Sequence, residues 1–312
     1  MTSTADEVRR GTAYGVLAYG VWGLFPLYFH ALKPAGAWEV LAHRIVWTML
    51  LCLVVLMVRR DWAWTRDVVR RPALAGGLTL AALFIAVNWV IYVFAVLHGH
   101  TYEAALGYFL NPILTVALGV VVLGEGLRPL QWVAVAIGAV AAGYLAVEGG
   151  HFPVVALSLA ASFGLYSLLK KRLGVSLQPW HTLFAETAVL TPVAGVILLV
   201  IARQGEMTYG AGPRHTVLLT LAGVVTALPL LCFAAAAQRV PLVTIGLMQF
   251  ITPVIQLLIG VLVLGERVSA ALWVGFGIVW FALTVLTVDS VAAARRGGGP
   301  PPRSSRPAPD LA

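Results

Sequence analysis

The sequence predicts an all-α integral membrane protein: ten transmembrane helices arranged as two inverted five-helix repeats. Three observations predict it. The 312 residues are 60% hydrophobic and 11% charged, with a mean hydropathy of +0.90, whereas soluble domains carry about 25% charged residues. Ten apolar runs have roughly the 20 residues that a helix needs to cross a hydrocarbon core. Residues 106–147 recur at 247–288 without a gap, offset by 141 positions, with 15 identities in 42. The matched positions include Pro112/Pro253, Gly119/Gly260, Gly124-Glu125/Gly265-Glu266 and Trp132/Trp273.

Taken in order, the runs lie near 12–30, 39–58, 74–97, 104–123, 129–147, 153–170, 180–201, 216–237, 243–264 and 270–288. The first follows Arg9-Arg10 and has the outline of a signal peptide, with Ala35-Gly36-Ala37 as a cleavage site. It is too long for most such segments and contains Pro26. Its Trp22-Gly23-Leu24 also falls on Phe163-Gly164-Leu165 at the same offset, so it stays in the mature chain. Pro72, Pro129, Pro153, Pro179 and Pro241 stand at or just before the starts of later runs, where a missing N–H is harmless. Residues 124–128 and 239–242 are very short connections and make antiparallel hairpins of their neighbours.

Charge sets the orientation. With the N-terminus cytoplasmic, inside segments carry 16 Lys/Arg and outside loops 4, with Arg44 in the membrane, which the positive-inside rule favours. The cationic residues lie between apolar runs and report topology, not a nucleic-acid surface. Five spans per repeat is an odd number, so the halves, 1–148 and 149–290, enter the membrane from opposite sides. Residues 291–312 are a basic Pro/Gly-rich stretch that cannot bury a core, expected as a disordered cytoplasmic tail near anionic lipid. Cys52 and Cys232 sit inside apolar runs and read as small buried hydrophobes.

Polar residues at membrane depth are costly and usually face a cavity or a partner. Arg44 near the start of one span and Glu186 near the start of its repeat counterpart almost coincide, at an offset of 142. They read either as a pair at one cavity or as side chains reaching opposite interfaces. Tyr108, Asn111 and Thr115 share one helical face, and Gln249, Thr252 and Gln256 occupy the same positions in the second copy. Pro112 and Pro253 loosen the backbone beside them, which favours a cavity wall over interhelical hydrogen bonding. Trp22, Asn88, Trp89 and Tyr92 add aromatic and amide groups. Glu125 and Glu266 lie at opposite surfaces under inversion and read as helix caps. His98, His100 and His151 lack the framework of a metal site, and no Walker A motif is present. No cofactor is expected. Small residues at Gly11/Gly15 and Ala134/Gly138/Ala142 suit packing within the monomer and would also allow a homodimer.

The stretches AYGVWGLFPLYF (18–29), EVLAHRIVW (39–47), NW (88–89), EAALGYFLNP (103–112), LGE (123–125) with QW (131–132), and PLLCFAAAA (229–237) together resemble the RarD branch of the EamA permeases, in the drug/metabolite transporter superfamily. The resemblance implies an inner (plasma) membrane protein with two inverted EamA repeats that exports small metabolites or drugs. The expectation is thus a secondary transporter, not an enzyme. It moves a small amphipathic solute through a central cavity, and its partners are that solute and the bilayer, not nucleic acid. The rival readings are an intramembrane enzyme using Arg44, Glu186 and Asn88 on a lipid-linked substrate, and a structural or sensory membrane subunit.

Overall fold

The computed structural model describes residues 4–97, 101–148, 154–174, 176–263, 265 and 270–295. Every element among them is a helix: α1 Thr4–Gly23, α2 Phe25–Ala31, α3 Ala37–Arg59, α4 Ala63–Arg70, α5 Pro72–Leu97, α6 Thr101–Leu123, α7 Pro129–Glu148, α8 Val154–Leu173, α9 Pro179–Gln204, α10 Pro213–Arg239, α11 Leu242–Met248, α12 Ile251–Leu262 and α13 Ala270–Arg295. Stretches of α3, α5, α8, α9 and α10 combine the length and apolarity to cross a membrane, with mean hydropathy from 1.3 to 2.4. Shorter apolar stretches lie in α6, α7, α11–α12 and α13. Valines and leucines such as Val58, Val121 and Leu262 stand exposed around the perimeter, as a hydrocarbon solvent permits.

Proline opens α5, α7, α9 and α10, where its fixed φ suits the first turn. The repeated Leu-Gly-Glu motif also has a backbone reason. Gly124 and Gly265 follow α6 and α12 with φ of 64° and 67°, the left-handed region that a Cβ disfavours. Glu125 is a cap, but for a helix in the other repeat. Its carboxylate accepts the backbone N–H groups of Leu242 and Val243, both at 2.8 Å, at the start of α11. Glu125→Ala should lower stability by about 1–2 kcal/mol, read as a fall in the melting temperature of the purified protein, whereas Glu125→Gln should lose less. Glu266 lies outside the described residues.

Two of the expected continuous spans are broken. The first divides into α1 and α2 around Leu24, and the ninth into α11 and α12 at Gln249–Phe250. Pro26 has no N–H for the carbonyl of Trp22 four residues earlier, and Gln256 Nε2 donates to that oxygen at 3.3 Å. Thr252 Oγ1 likewise donates to the Tyr19 carbonyl at 2.9 Å. Helix α6 passes through Pro112 unbroken. It crosses α11 closely at Gly246, where a Cβ would stand 2.7 Å from Val116 Cγ2.

The two halves interleave. Helix α1 packs on α10 and α12, α3 on α9 and α10, α5 on α8 and α9, and α6 on α8 and α11. Helices α7 and α13 pair to one side, tied by Arg128 and Asp289 at 2.6 Å. The α3–α9 pair is fastened at both ends. Buried Glu39 accepts the N–H groups of Thr208 and Tyr209, both at 2.9 Å, in the loop after α9. At the other end His181 meets Asp61 at 2.8 Å and stacks on Trp64, 5.0 Å between centroids. Trp64 belongs to α4, a short helix inside the basic stretch between the expected spans 39–58 and 74–97. Helix α13 runs to Arg295, past the end of the expected last span, and the tail from 296 lies outside the described residues.

Candidate functional site

A cavity of about 610 Å³ lies where the halves meet, walled by α1–α3, α5, α6, α8 and the α11–α12 break, and it reaches the α2–α3 connection at Lys33 and Ala35. The breaks explain its place. They interrupt the α-helical ladder at Leu24 and Gln249–Phe250 with the backbone still in the right-handed helical region, and the Thr252 and Gln256 hydrogen bonds hold the α1 and α12 ends together there.

Nine of the sequence candidates line this space: Trp22, Arg44, Asn88, Trp89, Tyr92, Asn111, Gln249, Thr252 and Gln256. Arg44 Nε donates to Thr226 Oγ1 at 2.9 Å. Its guanidinium carbon stands 5.0 Å from the Trp89 ring centroid and 5.4 and 5.6 Å from those of Phe25 and Phe29. Such contacts favour a cation with little water around it. Rings around the cavity also touch one another: Tyr19 and Trp22 at 5.3 Å, Trp22 and Phe163 at 6.0 Å, and Trp22 and Phe233 at 5.8 Å between centroids.

The amides share a pattern. Asn88 Nδ2 donates to the Leu159 carbonyl at 2.9 Å and to Ser162 Oγ at 3.1 Å. Gln249 Nε2 donates to Thr115 Oγ1 at 3.1 Å. Asn88 thus spends both of its amide N–H groups on protein, and Gln249 spends one. Among the described residues, Gln249 Oε1, Asn111 Oδ1 and the Tyr19 hydroxyl are buried without a partner at ordinary hydrogen-bond geometry, the Tyr19 hydroxyl lying beside the Gln249 amide. Buried polar atoms are rarely left so, and two of these three are acceptors at one site. The arrangement offers a cation, hydrogen-bond acceptors and aromatic faces to one space.

Two of the other three candidates fall elsewhere. Thr115 is buried behind Gln249 and holds its amide. Tyr108 lies outside the described side chains. Glu186 does not meet Arg44: its carboxylate pairs with Lys170 Nζ at 2.8 Å and accepts from the Tyr166 hydroxyl at 3.2 Å. The reason is the inversion itself. Arg44 and Glu186 are each the eighth residue of their helices, α3 and α9, and equal depth in oppositely entering helices puts them toward opposite faces. Lys170, counted by the charge rule among interface cations, is turned inward and buried. Tyr19, Phe25, Phe29, Phe163 and Thr226 were not singled out, although the 141 offset pairs Phe25 with Tyr166 and Phe29 with Lys170. His98, His100 and His151 lie outside the described residues.

The chain matches the EamA-like transporter family twice, over residues 9–147 and 153–288. It is 47% identical to the protein RarD of Streptomyces exfoliatus, over 93% of this chain and 91% of that one. It is 39% identical to an uncharacterized transporter of Vibrio cholerae, over 94% and 97%, and 36% identical to the protein RarD of Escherichia coli, over 92% and 97%. A solved crystal structure that is 17% identical shares the fold, with a TM-score of 0.66 over 89% of this chain and 98% of that one. A matched family over both halves, a two-repeat membrane fold and near-full-length relatives agree: the chain belongs to the EamA-like transporter family and is a multi-pass membrane permease.

Proposed function

We propose that this permease exports a small amphipathic metabolite or drug across the inner membrane, binding it in the cavity between the repeats and exposing it to each side in turn. The observation that carries this reading is the meeting of Arg44, the Trp22–Phe163 rings and the amide oxygens of Asn111 and Gln249, which have no partner among the described residues, in one space. Repeat symmetry supports alternation, since two inverted halves can exchange conformations around a shared site. The halves are residues 1–148 and 149–290, with ten spans between them. The cycle needs solute binding and release, and no covalent step. A thermal-shift screen of metabolites on the purified protein should find a ligand that raises its melting temperature. That ligand should then move across sealed proteoliposomes. A ligand that is chemically altered would point to an enzyme, and no ligand or flux at all would point to a structural subunit.

Both termini are placed in the cytoplasm, on the 16-to-4 charge asymmetry. A reporter active only in the periplasm should therefore stay silent when fused after Arg295, and activity there would reverse the topology.

A further inference from the structure

The Lys170–Glu186 cluster lies outside the cavity, yet the repeat offset ties it to the cavity wall. Phe25, Phe29, Val40 and Tyr92 line the cavity. An offset of 141, or of 142 in α3 and α9 where Arg44 matches Glu186, gives Tyr166, Lys170, Thr182 and Phe233. In the first half this set surrounds open space. In the second it is shut: Lys170 Nζ donates to Thr182 Oγ1 at 2.7 Å and to Glu186 Oε1 at 2.8 Å, and Tyr166 stacks on Phe233 with 5.8 Å between centroids and 14° between planes. Tyr166, Lys170, Thr182, Glu186 and Phe233 are all at most 2% exposed. The shut cluster continues from the cavity without a gap, since Phe233 also touches Trp22 and Phe163.

We propose that Tyr166, Lys170, Thr182 and Glu186 are the gate on the side of the cavity away from the α2–α3 connection, and that they line an oppositely facing half-site when it opens. The inference rests on the permease reading and adds a binding role for the opened state. With the gate shut, Glu186 occupies the Lys170 ammonium. With it open, that ammonium becomes available to an anionic or acceptor group of the solute, as the Arg44 guanidinium is in the cavity now. The pair is thus an internal ligand that the passing solute replaces. The geometry also makes the present conformation one of two. Exchanging the roles of the repeats closes Phe25, Phe29 and Tyr92 around Arg44 and parts Tyr166 from Phe233.

Ser167 reports on the gate. It is fully buried now, and its counterpart at the 141 offset, Pro26, lines the cavity. Ala37, at the cavity's other end, reports on the opposite side. In full-length protein with Cys52→Ala and Cys232→Ala, single Ser167→Cys or Ala37→Cys variants are exposed to a membrane-impermeant maleimide in right-side-out and inside-out vesicles. The Ala37→Cys variant should label from one side and the Ser167→Cys variant should be protected. Adding Lys170→Ala should raise Ser167→Cys labelling several-fold from the other side and lower labelling at Ala37→Cys. Lys170→Met with Glu186→Met, an apolar pair in place of the ionic one, should restore both patterns. Unchanged labelling at Ser167→Cys overturns the gate. So does a rise there without the fall at Ala37→Cys, which is local unpacking, and so does a double variant that labels like Lys170→Ala. The labelling needs no solute, so these outcomes are separate from a failure of the flux experiments, which test the permease reading itself.

Discussion

Lys170→Ala and Glu186→Ala should each lower the stability of the purified protein by about 3–5 kcal/mol, because each leaves a buried charge without its counter-ion. The pair is made at 2.8 Å with side chains 1% and 3% exposed, so solvent does little to screen the loss. Tyr166→Phe removes one hydrogen bond to the carboxylate and should cost less, about 1.5–3 kcal/mol. Lys170→Met with Glu186→Met should recover most of the loss, since an apolar pair of similar volume is often as stable. Melting temperatures of the four variants in one detergent measure this. Equal destabilisation by the double and single variants would mean that packing, not charge, holds α8 to α9. Arg44→Ala should behave differently: its described partners are Thr226 and three rings, so Glu186→Ala should not rescue it.

The second large effect is on transport. Arg44→Met should weaken binding of the solute found by thermal shift by about 10- to 150-fold, if it contributes one charge-assisted hydrogen bond of about 1.5–3 kcal/mol. Asn111→Leu and Gln249→Leu should abolish flux in proteoliposomes by removing both orphan acceptors and narrowing the space. Their stability cost should be small: Gln249 forfeits one hydrogen bond to Thr115, worth about 1 kcal/mol. Normal flux in both leucine variants would make the polar residues of α6 and the α11–α12 break interhelical fastening and move the solute site elsewhere.

Some of this was legible in the sequence because the repeat states it twice. Gly124 and Gly265 recur because the same positive φ is needed after α6 and α12. The cavity amides stood out as polar residues in apolar runs, and Asn88, Asn111 and Gln249 do share one space. What was not legible depends on partners distant in sequence. Pro26 breaks its span while Pro112 does not, and the hydrogen bond that completes the Pro26 break comes from Gln256, 234 residues beyond the Trp22 carbonyl that accepts it. Lys170 ends a span, where composition cannot tell a cation reaching for the interface from one folded back onto a carboxylate. The Arg44–Glu186 pairing failed for a related reason. Equal sequence position means equal depth from the entry face, and inverted helices have opposite entry faces. Helix α4 was hidden among arginines, its one inward anchor being Trp64.

The carboxylate of Glu125 at the start of α11 carries a consequence for biosynthesis. The two amides it receives are 117 and 118 residues further along the chain, and α1 finds its main neighbours in α10 and α12. During translation the first repeat therefore enters the bilayer long before the surfaces it is built to touch exist. Until α10–α12 emerge, lipid must shelter the inward faces of α1 and α3. A ribosome stalled after residue 148 would present a set of helices without its mates, a natural target for membrane quality control, and the same two halves made as separate polypeptides would have to find each other to survive.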